Sequence, residues 1–155
     1  QRGAYAVVEV EKPQLILISS GSEMELCIDG AKILQEEHGI SVRVVSMPCQ
    51  EIFLEQSEAY QMSVLPGDIP TLSVEASSVN GWHRFSHAQI GVSRFGACGK
   101  DKDVYREFGF SPENVALKGK ALVAFYKEHD KPVPDLMHRP VFLNPTKIGN
   151  TSIFV

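Results

Sequence analysis

Gln14-Leu-Ile-Leu-Ile-Ser-Ser-Gly-Ser-Glu-Met-Glu25 is the stretch that decides the fold. Leu15 to Ile18 is an unbroken apolar run, as suits a strand buried on both faces. A small-residue turn, Ser19 to Ser22, follows it. Ser22, with Glu25 three residues later, fits a capping box that opens a helix. Met24, Cys27, Ile28, Ala31 and Leu34 then share one helical stripe, and Gly39 ends it. Gly30, inside the helix, points to close packing there. Strand, turn and amphipathic helix make one unit of an α/β sheet. Ligands of such sheets favour the carboxyl ends of strands, near helix N-termini. Ser20, Gly21 and Ser22 are therefore a candidate anion site. The competing reading is a plain helix cap, because neither G-x-G-x-x-G nor a P-loop lysine is present.

Outward from this unit the pattern repeats. Ala4 to Val10 is β-rich and stops at Pro13, as an edge strand would. Val42 to Met47 is a second strand closed by Pro48, and Gln50 to Met62 reads as a helix with Ile52, Phe53, Ala59 and Tyr60 as apolar contacts. Thr71 to Glu75 is a third strand. Val79 to Phe85 is a short helix or irregular turn, and Gln89 to Phe95 a further strand or loop. A short helix is expected over Asp103 to Phe108. Ser111-Pro112-Glu113 is a helix start with Ser as N-cap and Pro in the first helical position. Prolines 132, 134, 140 and 145 break regular structure beyond it. Short right-handed connections then predict a three-layer α/β fold, a mostly parallel five-stranded sheet with helices on both faces. Residues 1–143 are expected to form a single domain, and 144–155 an extended tail.

A length of 155 residues and a 43% apolar content suit one globular domain. A net charge of -4 argues against a general nucleic-acid binder. No apolar run approaches the ~20 residues of a membrane span, and no basic-then-apolar leader opens the chain. Because it begins with Gln1, it is expected to be a piece of something longer. Cys27, Cys49 and Cys98 lack metal or disulfide spacing, so a reducing, cytoplasmic setting is expected, with Cys27 a core residue.

Gly81-Trp-His-Arg-Phe-Ser-His87 places His83 and His87 four apart, one helical turn if the segment is helical. Two zinc ligands would need a third that is not nearby. Trp and Arg are enriched where proteins meet. Trp82, His83, Arg84 and His87, with Arg94, are thus candidate interface residues, local packing being the other reading. Glu75 lies at a strand's carboxyl end with no acid–base partner adjacent. Its expected role is structural, capping the next turn or pairing with Arg84 or Arg94. No nucleophile triad or G-x-S-x-G pattern occurs, so no catalytic residue is assigned.

Seven segments, in order, resemble the C-terminal domain of transketolase over about residues 3–130. They are Leu15-Ile-Leu-Ile-Ser-Ser-Gly-Ser-Glu23, Val42-Arg-Val-Val-Ser-Met-Pro48, Ser63-Val-Leu-Pro66, Ser73-Val-Glu-Ala76, Gly81-Trp82, Arg94-Phe-Gly-Ala97 and Phe108-Gly-Phe-Ser-Pro-Glu-Asn-Val115. Dihydroxyacetone synthase is similar there too. The pyruvate dehydrogenase β-subunit is a more distant option that Ser63-Val-Leu-Pro66 and Phe108-Gly-Phe110 speak against. A regulatory anion- or nucleotide-binding module is the alternative from another class. The resemblance implies a homodimeric parent that uses thiamine diphosphate and Mg or Ca. That parent moves a two-carbon ketol unit between sugar phosphates in the pentose phosphate pathway. It also implies that this domain packs on the preceding domains, binds no cofactor and has no activity alone. Cys98-Gly-Lys-Asp101 departs from the usual motif, and Leu143 to Val155 has no counterpart in the family pattern. The terminal Ile153-Phe-Val is not a peroxisomal address.

Overall fold

The computed structural model describes residues 2–92 and 108–137. In chain order they form β1 (Tyr5–Val8), β2 (Leu15–Ser19), α1 (Met24–His38), β3 (Val42–Ser46), α2 (Gln50–Leu54) and α3 (Glu58–Val64). There follow β4 (Thr71–Ser78), a 3-10 turn (Trp82–Arg84), β5 (Ala88–Val92) and α4 (Pro112–Glu128). The sheet order is β1-β3-β2-β4-β5, with only β1 antiparallel to its neighbour. This is the expected three-layer fold, with β1 at an edge. Arg94, Cys98, the helix expected over residues 103–108 apart from Phe108, and the tail 144–155 lie outside the described residues.

The alternation of β2 builds both layers, since successive side chains of a strand point to opposite faces. Leu15 and Leu17 join Cys27, Ala31 and Leu34 of α1 and Val115, Ala116 and Val123 of α4. Ile16 and Ile18 join Phe53, Val64, Leu65, Trp82 and Phe85 on the other face. All five residues of β2 are buried, which explains why its apolar run is continuous. Close packing at Gly30 is real: a Cβ there would lie 2.8 Å from Val115 Cγ1 and 3.2 Å from the Pro112 carbonyl oxygen. α1 and α4 therefore meet with no room for a side chain at that point.

Helix ends follow the sequence in part. Ser111 accepts a hydrogen bond from Asn114 N–H ahead of Pro112, and Gly39 closes α1 at φ 63°, a conformation glycine adopts without penalty. The capping box at Ser22 does not form. Met24 N–H donates to the Gly21 carbonyl, so a backbone turn opens α1, and the Ser22 hydroxyl donates to Glu23 Oε1 at 2.8 Å instead. The helix expected over Gln50 to Met62 is two helices. Ser57 breaks it by taking an extended ψ of 147° and accepting from Tyr60 N–H as the cap of α3. β4 continues past Glu75 to Ser78, with an irregularity in its pairing to β5 between Val74 and Ser78.

Candidate functional site

From β2 the chain moves to β3 on one side and then crosses back to β4 on the other. Strand order thus reverses between β2 and β4, and a ligand crevice is expected beyond their carboxyl ends. Ser19 closes β2 and Glu75 lies in β4 at that crevice. The Glu75 carboxylate is buried, and its Oε1 accepts from Ser19 Oγ at 3.1 Å and from the Ser20 backbone N–H. Its partners among the described residues are therefore Ser19 and Ser20, across the switch point, rather than Arg84 or its own following turn. Glu75 and Ser20 are 55 residues apart, so no local pattern links them. The signal was topological: in this strand order β2 and β4 are neighbours.

Ser20, Gly21 and Ser22 stay together in one exposed turn. Ser20 N–H donates to Glu75 and the Ser22 hydroxyl to buried Glu23, so both donors are engaged by the protein's own carboxylates. The crevice is electronegative, which does not suit a phosphate or diphosphate. Among the described residues no group of three His, Cys, Asp or Glu is arranged to hold a metal ion.

Cys27 sits beneath this turn with no exposed surface. Burial, followed by the Glu75 and Glu23 carboxylates, pushes its thiol up to about 12, so at neutral pH it is protonated and unreactive. The folded value lies above the unfolded value of 9.0, so the thiol's contribution to stability is complete below pH 9 and is lost as pH rises towards 12. Alkaline urea titrations should therefore show wild type losing up to ~1.4 kcal/mol per pH unit more than Cys27→Ala in that window. Parallel slopes would refute the shift.

The candidate interface residues separate. Trp82 is buried and packs edge-on to Phe85 at 6.4 Å, while Arg84 is half-buried with its guanidinium 6.0 Å from the same ring. His83 is exposed. His87 is half-buried: its Nδ1 accepts from Thr71 N–H at 3.0 Å, its Nε2 lies 2.9 Å from the Pro134 carbonyl oxygen, and its ring meets Tyr126. The His83–His87 spacing spans a 3-10 turn and the approach to β5, not an α-helix, so it gives no shared face.

Fold and site define a three-layer α/β domain whose switch-point crevice is closed from within by a glutamate. A family profile described as the transketolase-like TK C-terminal domain matches residues 3–111. Transketolase of Scheffersomyces stipitis is 46% identical over 129 residues, covering 83% of this chain and 19% of that protein. Dihydroxyacetone synthase of Candida boidinii is 37% identical over 139 residues, 89% of this chain and 19% of that protein. The crystal structure of Pichia stipitis transketolase with sedoheptulose 7-phosphate superposes with a TM-score of 0.84 at 43% identity, over 89% of this chain and 20% of that one. The chain belongs to the transketolase C-terminal domain family, and it spans about a fifth of the length of these relatives. Among the described residues no helix is long and apolar enough to cross a membrane.

Proposed function

We propose that this chain is a non-catalytic C-terminal domain of a transketolase-type enzyme, supporting dimerisation and packing on the domains before it. The parent would transfer a two-carbon ketol unit between sugar phosphates of the pentose phosphate pathway in the cytoplasm, with thiamine diphosphate and Mg or Ca held elsewhere. The observation that carries this reading is the switch point itself. Its Ser20 donor is bonded to Glu75, and buried Glu23 stands beside it. A domain built to bind a diphosphate would present open donors at this place. Titration calorimetry of the chain with thiamine diphosphate and Mg2+ is expected to give no saturable heat up to millimolar ligand, and xylulose 5-phosphate no turnover. A micromolar binding isotherm would overturn the proposal.

A further inference from the structure

Thr71, the first residue of β4, and His87, just before β5, exchange two hydrogen bonds. His87 N–H donates to the Thr71 carbonyl at 2.8 Å, and Thr71 N–H donates to His87 Nδ1 at 3.0 Å. A ring nitrogen accepts only while it carries no proton, so Nδ1 is bare. Nε2 lies 2.9 Å from the Pro134 carbonyl oxygen, which can only accept, and this fixes the hydrogen on Nε2. One neutral tautomer thus satisfies both contacts. Pro134 is 47 residues further along, in the segment that follows α4. Met137 of that segment packs against the layer containing Phe53 and Trp82, and the Asp135 carboxylate lies over Gly67.

We propose that His87 is an acid-releasable latch that fastens the segment around Pro134 to the start of β4. A second proton on the ring sets Nδ1–H against Thr71 N–H. Two donors then face each other, the bond is lost, and the rotation that parts them draws Nε2 from Pro134. Tyr126 of α4 packs edge-on to the ring at 5.8 Å, and burial raises its hydroxyl's pKa, so it stays neutral on acidification. Asp135, adjacent to Pro134, accepts from Met137 N–H at 2.8 Å. On the preceding turn the Arg84 guanidinium lies over Phe85. Of these groups the imidazole is the one whose ordinary titration falls between about pH 5 and 8.

Side-chain nitrogen spectra and amide exchange of the 155-residue chain, from about pH 8 to about pH 5, test the latch. The Nε2–H tautomer is expected near neutrality. As the ring protonates, Thr71 amide exchange, corrected for its intrinsic rate, should accelerate about three- to tenfold. Protease cleavage around Pro134 should quicken in parallel, with the β2 amides unchanged. His87→Asn keeps an acceptor near the Nδ1 position but neither titrates nor reaches Pro134. Its Thr71 protection should be flat with pH, and its segment cleaved faster at every pH. The proposal is overturned by a ring that stays neutral, by the other tautomer, or by protonation without a change at Thr71. Loss of β2 protection in step with Thr71, or an unchanged pH response in His87→Asn, would overturn it equally.

Discussion

Phe53→Ala is expected to lower the stability of the chain by about 4 kcal/mol. Phe53 has no exposed surface, and its ring lies 6.4 Å from that of Tyr60 and 6.3 Å from that of Phe85. It belongs to α2, a five-residue helix too short to persist on its own, and is that helix's one fully buried side chain. The N-terminal segment depends on the same place. A Cβ on Gly3 (φ 77°) would fall 2.3 Å from the Phe53 nitrogen, and Tyr60 Oη donates to the Ala4 carbonyl at 2.7 Å. Deleting the ring leaves a hole between α2, α3 and the sheet that rigid β-strands cannot fill. The corresponding drop in Tm is roughly 10 °C for a chain of this size, read by thermal or urea denaturation. A loss under ~1 kcal/mol would show that the layer collapses onto the vacancy.

Glu75→Ala is expected to cost about 3 kcal/mol, because two hydrogen bonds to a carboxylate disappear and Ser19 Oγ is left buried without its acceptor. Glu75→Gln keeps an acceptor of the same shape and should cost only ~1 kcal/mol. The order of the two variants is the test: equal losses would mean that the negative charge, which both variants remove, matters rather than the acceptor and volume that Gln keeps. Removing this charge also withdraws the second-largest influence on Cys27, so its thiol titrates lower in either variant while burial keeps it unreactive at neutral pH.

The layers of the fold were legible because they are written in local periodicity. The run Leu15 to Ile18 announced a central strand, Ser111-Pro112 a helix start, and Gly39 a helix end. Errors arose where one residue had two local options. Ser22 was equally able to cap α1 or to bond Glu23, and the buried carboxylate took it. Ser57 sat inside an apparently continuous helical pattern, yet its hydroxyl served better as the cap of a new helix. The switch point was legible in outline only. Ser20 to Ser22 are legible as its turn, but the group that fills it comes from β4. For Glu75 the sequence suggested Arg84, Arg94 or its own turn and gave no sign of Ser19 and Ser20, because these lie across the sheet at the end of β2. For the same reason His87 looked like half of a helical pair, whereas its contacts are Thr71 and Pro134, 16 and 47 residues away.

β1 has a bearing on how the chain avoids its own copies. It lies antiparallel along β3 and covers an edge that would otherwise present the backbone of Val44, Val45 and Ser46 to any passing strand. The strand is four residues long, its register slips between Ala6 and Val8, and Tyr5 and Val7 remain exposed on it. A short, kinked border of this kind makes a poor template for further strand addition. A chain shortened by its first eight residues would lose that guard. The vacancy beside β3 has the shape of β1 itself, so the segment best suited to fill it is that same strand supplied in trans as a peptide of the first eight residues, which is strand complementation.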